Sequence, residues 1–126
     1  MSAYFISPFK PPVWAGETDL RIAPEDYING LKSLWPDVNI ISEQPKSYVL
    51  WWELRRDGAF HIMGGLQEGY NVVSIEGNKE YIAEFAVWHR AFVPPVYRLY
   101  FFHESLTTNF ELEASVTKQV VLHRMS

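Results

Sequence analysis

The sequence predicts an α+β domain of two layers, a mostly antiparallel sheet of about five to six strands with two main helices packed on one face. Two stretches with apolar residues at helical spacing indicate the helices. Between and after them lie runs rich in β-branched and aromatic residues, joined by short turns that favour antiparallel pairing. The 126 residues have the size of one domain. We therefore expect a single domain over 1–126, with a proline-rich segment at 1–23 and an α+β body at 24–126.

Proline and capping residues set the expected ends of the helices. The first helix begins at Pro24, since proline suits the first helical position, and it ends at Pro36. The second begins after Asn78, whose side chain can accept a hydrogen bond from the first turn, and runs to about Val93, before two prolines. A short terminal helix is expected over residues 115–124, where apolar side chains fall on one side.

The clearest local signal is Asp57-Gly58, a residue pair typical of a two-residue hairpin turn. It joins residues 48–56 to residues 59–64. A turn of this length sets Leu54 opposite His61, and the same register continues along both strands. Further strands are predicted at residues 3–6, 38–42, 70–75, 96–103 and 110–113.

The predicted register divides this hairpin into two unlike faces, because alternate residues of a strand point to opposite sides. One face is almost entirely apolar, and we expect it to pack against the helices. Its residues are Tyr48, Leu50, Trp52, Leu54, Ala59, His61 and Met63. The other face is mixed, with two charged residues beside aromatic and aliphatic ones. Its candidate binding residues are Trp51, Glu53, Arg55, Phe60 and Ile62.

The mixed face carries the leading functional hypothesis. An apolar patch bordered by charge on an open sheet is typical of a contact surface, and Trp, Phe and Arg are enriched in interfaces. The sequence therefore favours a small, acidic, non-catalytic interaction module that binds a protein partner, or itself as a homodimer, through this face. A protein that neutralises a basic partner is one form of this hypothesis. Alternatively, the proline-rich N-terminal segment covers the face, with Trp14 lying on it.

Charge and composition argue against several other classes of protein. The chain has 11 Lys and Arg against 15 Asp and Glu, a net charge of −4 and a sequence pI near 5.5. Clustered basic residues, which nucleic acids and anionic membranes attract, do not occur. There is no cysteine for thiolate chemistry or metal binding, and neither a metal nor a cofactor is predicted. Without a signal peptide or a membrane-spanning stretch, the expected location is the cytoplasm.

Two of the four histidines are candidate catalytic residues in an alternative hypothesis. His61 is expected on the helix-facing side of the hairpin and His89 on the sheet-facing side of the second helix. If they meet between the layers, they form an acid–base pair in a cleft of an enzyme or a small-molecule-binding protein. The simpler interpretation is two imidazoles satisfied by hydrogen bonds at the edge of the core. A carbohydrate-binding surface, built from aromatic residues that make up 16% of the chain, is a third hypothesis.

Overall fold

The computed structural model describes residues 3–13 and 15–125 of the chain. Within this part, all paired strands of one sheet run antiparallel. The seven strands are β1 (Tyr4–Ser7), β2 (Asn39–Ile40), β3 (Tyr48–Arg56), β4 (Ala59–Gln67), β5 (Val73–Gly77), β6 (Tyr100–His103) and β7 (Asn109–Glu111). The three helices are α1 (Pro24–Leu34), α2 (Lys79–Phe92) and α3 (Lys118–Met125).

The predicted α+β class is confirmed, and the predicted number of strands is slightly too low. Each of the seven strands overlaps a stretch predicted as a strand, including the two short edge strands, β2 with two residues and β7 with three.

The strands lie in the order β2-β3-β4-β5-β1-β6-β7, so the first strand of the chain is inside the sheet. In β1, Tyr4 is opposite Ile75 of β5 on one side and opposite His103 of β6 on the other. Strand β1 thus joins two parts of the sheet that are formed from distant parts of the chain.

The helix ends follow the predicted signals. Pro24 is at the start of α1, and the backbone N–H of Trp35 donates to the carbonyl of Leu31 at its end. At the start of α2, the Asn78 side chain accepts a hydrogen bond from the backbone N–H of Glu80, with a donor–acceptor distance of 2.9 Å. These local contacts fix where α1 and α2 begin and end beside the sheet.

One face of the sheet forms the core with the helices. Trp52 of β3 is 0% exposed and contacts Tyr27 of α1 and Phe85 of α2, with ring centroids 5.7 and 5.8 Å away. Leu54 and Ile62, also 0% exposed, lie opposite each other on the same face. We call this surface the core face and the opposite surface of the sheet the open face.

The turn of the β3–β4 hairpin was predicted correctly, but its register was not. Asp57 and Gly58 both have positive φ, at 54° and 75°, as a two-residue turn of this kind requires. The pairing then shifts by one residue, so that Leu54 lies opposite Ile62 and not opposite His61. The reason is a bulge, which sets two residues of one strand against one of its partner. A second irregularity lies between Tyr48 and Leu50.

Candidate functional site

The candidate binding site is a group of side chains on the open face of β3 and β4. We call it the Trp51 patch. Trp52 contacts Tyr27 and Phe85 on the core face. Because neighbouring residues of a strand point to opposite faces, Trp51 lies on the open face. Its members are half-buried, except for the exposed Arg55. The patch consists of Tyr48, Trp51, Glu53, Arg55, Phe60 and Met63.

The aromatic part of the patch lies over a glycine. Trp51 is directly opposite Gly65 in β4, and a Cβ at Gly65 would collide with the rings of Trp51 and Tyr48. The Tyr48 and Trp51 rings meet edge to face with centroids 5.1 Å apart. The Tyr48 hydroxyl also forms a hydrogen bond of 2.7 Å with the Ser74 hydroxyl of β5. These contacts hold two large, half-buried rings over Gly65 on the open face.

The charged part of the patch lies toward the hairpin turn. Arg55 Nε is 3.3 Å from Glu53 Oε1, and the guanidinium carbon of Arg55 lies 5.6 Å from the Phe60 ring centroid. The Arg55 side chain is 53% exposed and that of Glu53 is 21% exposed. An ion pair this accessible is solvated, so it adds little to stability and remains available to a partner.

The structure corrects the predicted membership of this site. Trp51, Glu53, Arg55 and Phe60 lie on the open face as expected. Ile62 does not, because the bulge moves it to the core face, where it is 0% exposed.

Two residues of the patch were assigned by sequence reasoning to the wrong face. Met63 was expected opposite Trp52 but lies opposite Glu53, on the open face. Tyr48 was assigned to the apolar face, yet it contacts Trp51 because of the irregularity at the start of β3. The signal that could have found them is the pair Gly64-Gly65, since two glycines opposite two tryptophans match large side chains to small ones.

The open face is not equally accessible across the sheet. Phe102 of β6 stacks on Phe5 of β1 with centroids 5.5 Å apart, and it is only 1% exposed. Ser7 is 2% exposed, and Pro11 beyond it is buried as well. On the β1–β6 half of this face, Phe102 and Ser7 are therefore covered, whereas Phe5 and Tyr100 are half-buried. The expectation that Trp14 lies on the face concerns a residue outside the described ones.

The two candidate catalytic histidines are in separate surroundings. His61 stacks on Tyr81 near the start of α2, with ring centroids 4.9 Å apart. His89 lies eight residues further along the helix, a rise of about 12 Å, and its Nδ1 forms a hydrogen bond of 2.7 Å with the Tyr27 hydroxyl. The structure therefore does not bring the two imidazoles together.

The surroundings of His89 favour a structural role. It is 0% exposed, and its Nε2 has no hydrogen-bond partner among the described residues. Burial, and to a lesser extent the nearby charge of Arg90, lowers the pKa of His89 to about 3. Burial also raises the pKa of Tyr27 well above its usual value. Both groups are neutral near pH 7, and neither has the access to solvent that proton exchange with a substrate requires.

Neither a metal site nor a membrane-spanning helix is found in the described part of the chain. Residues 3–13 and 15–125 contain no group of three or more His, Asp or Glu side chains able to hold a metal ion. None of the helices described is both long and apolar enough to cross a bilayer.

Comparison with known proteins adds no family. The chain matches no protein-family model, no curated protein and no solved structure. Its function is therefore inferred from the geometry of the molecule itself.

Proposed function

We propose that this protein is a non-catalytic interaction module and that the Trp51 patch binds a partner protein with a basic surface. One observation carries the proposal: the rings of Trp51 and Tyr48 pack edge to face over Gly65, on the face of the sheet opposite the helices. Aromatic residues with adjacent arginine are the residue types that contribute most to binding between proteins.

The charge of the open face supports a basic partner. The strands carry three carboxylates on this face, namely Glu53, Glu76 opposite Met63 in the next strand, and Glu111 opposite Tyr100. Among the described strand residues of this face, Arg55 is the cation that offsets them. With a net charge of −4 on the whole chain, association with a basic surface is accelerated, whereas two copies repel each other.

The test begins with the partner captured by chemical cross-linking to the wild-type protein, then purified and measured by titration calorimetry. We expect a basic protein whose affinity falls by about tenfold or more with Trp51→Ala, the loss typical of a central interface residue. Glu53→Arg should weaken binding by slowing association. The matched control is Val96→Ser, which changes an apolar residue that is 81% exposed and lies outside the sheet.

Three results would contradict this proposal. A partner that binds Trp51→Ala as tightly as wild type does not use the patch. An acidic partner contradicts the charge argument. A wild-type dimer in light scattering that becomes a monomer with Trp51→Ala would instead assign the patch to a second copy of the chain.

A further inference from the structure

A cavity lies on the core-face side of the sheet, away from the Trp51 patch. It has a volume of about 400 Å³, which is within the range of small-molecule sites. The cavity is open to solvent on one side and is lined by the end of α1, the end of β3, the first half of α2 and the first residue of α3. The lining residues used below are Trp35, Arg56, Glu80, Tyr81, Glu84 and Lys118.

Both cations that line this cavity already have carboxylate partners. Arg56 binds Asp37 through two hydrogen bonds, of 2.9 Å from Nε and 3.1 Å from Nη2. Lys118 Nζ lies 3.1 Å from Glu80 Oε2. An anionic ligand would have to compete with these pairs, so the cavity is poorly suited to one.

Glu84 is the carboxylate of the cavity that belongs to neither ion pair. Its Oε1 accepts a hydrogen bond of 2.5 Å from the indole N–H of Trp35. Among the described residues it forms no ion pair. With Asp37 included, the charges around the cavity sum to one negative charge, and that charge is on Glu84.

The walls beside Glu84 are aromatic. The Trp35 and Tyr81 ring centroids are 6.2 Å apart, and the His61 imidazole stacks on the Tyr81 ring. The guanidinium carbon of Arg56 already lies 5.7 Å from the Tyr81 ring centroid, and Trp35 is only 1% exposed. The positive group of a ligand would therefore pair with Glu84, which can accept its hydrogen bonds, while half-buried Tyr81 offers apolar surface to an alkyl stem.

We propose that this cavity binds a small organic cation, with an ammonium or guanidinium group paired to Glu84 and an alkyl stem against Tyr81. An inorganic cation fits poorly, since no group of three potential ligands is found among the described residues. The site is separate from the Trp51 patch, so either proposal can fail without the other.

The test is an NMR titration of the ¹⁵N-labelled protein that follows the indole N–H resonance of Trp35. The probes are n-butylguanidinium chloride and n-butylammonium chloride, which distinguish the two head groups, with neutral butyramide as the control ligand. We expect a saturable shift of this resonance with at least one cation at millimolar concentration and none with butyramide. An equal shift with butyramide, or no saturable shift with either cation, would overturn the proposal.

Two variants with opposite expected effects link the binding to its carboxylate. Glu84→Gln retains an oxygen for the Trp35 N–H but removes the charge, and it should weaken cation binding by about tenfold, the usual loss for one charged hydrogen bond. Glu68→Gln removes an exposed charge outside the cavity and should bind as wild type does.

Lys118→Ala, on a side chain 42% exposed, releases Glu80 and should tighten binding several-fold. Unchanged or weaker binding by Lys118→Ala refutes the proposal even if Glu84→Gln does not fold.

Discussion

Trp51 and Trp52 are neighbours in β3, yet the sheet places them in opposite environments. Trp52 is 0% exposed between two helices, whereas Trp51 is half-buried beside Tyr48 on the open face. Each has its own glycine in the next strand, Gly64 for Trp52 and Gly65 for Trp51. The same pairing of a large ring with a glycine thus occurs twice, once inside the core and once on the surface. Covering by helices, and not local sequence, therefore separates a core residue from a candidate binding residue.

Replacing each tryptophan by alanine tests this comparison most strongly. Trp52→Ala should lower the free energy of unfolding by about 4 kcal/mol, because it leaves a cavity among buried rings. Trp51→Ala should lower it by only about 1 kcal/mol, since the ring is already partly in contact with water. Urea unfolding followed by circular dichroism measures both. Similar losses for the two variants would mean that Trp51 is a core residue and would remove the basis of the proposed interface.

The two glycines give a second, smaller contrast. A Cβ at Gly64 would lie 2.7 Å from the Ser74 carbonyl oxygen and 2.8 Å from the Trp52 ring, and both are fixed in the core. Gly64→Ala should therefore cost about 3 kcal/mol.

Gly65→Ala should cost less, about 2 kcal/mol, because the Trp51 ring can move into solvent although the Leu50 carbonyl is also close. It should also weaken binding of the partner. The two unfolding curves, with near-ultraviolet circular dichroism to follow the tryptophans, measure the difference. A larger loss of stability for Gly65→Ala than for Gly64→Ala would contradict this expectation.

Acid should destabilise the protein through the core side of the sheet. The folded state holds the pKa of His89 at about 3, while the unfolded chain takes up a proton near its ordinary pKa of about 6.5. Stability from the neutral imidazole is thus complete above about pH 6.5 and is lost as the pH falls toward 3, by roughly 2 kcal/mol at pH 5.

Urea unfolding at pH 7 and pH 5 checks this pH dependence. His89→Gln is the control. Between pH 7 and pH 5 its free energy of unfolding should fall by roughly 2 kcal/mol less than that of the wild type. An equal loss in both proteins would show that other groups cause it.

The smallest expected effect concerns the ion pair of the Trp51 patch. Arg55→Ala should change the free energy of unfolding by about 0.5 kcal/mol or less, as is usual for exposed pairs. If Arg55 contacts the partner, the same variant weakens binding by more than it affects folding. Thermal unfolding gives the change in stability, and titration calorimetry of the same preparation gives the change in affinity. A loss of stability well above this value would assign Arg55 to the fold and not to the interface.

Much of the fold could be predicted because its signals are local. Pro24, Asn78 and the Asp57-Gly58 turn each act through the backbone of adjacent residues, and the structure has a helix or a turn at each. The position of β1 inside the sheet could not be predicted, since it depends on pairing with residues far along the chain.

The site was predicted only in part for the same reason. Trp51 and Arg55 were placed on the open face by simple alternation along β3. Ile62 was misplaced because one bulged residue reverses the faces of every residue beyond it. The cavity beside Glu84 was missed, because its walls come from four elements that have no common pattern in the sequence.

The position of β1 also has a consequence for how the protein folds during its synthesis. Tyr4 leaves the ribosome 99 residues before its partner His103. Until then, β1 can pair only with β5 on one side, and its other edge stays unpaired. Because such distant pairing is slow and exposes strand edges, the newly made chain should be most prone to aggregation just before β6 emerges.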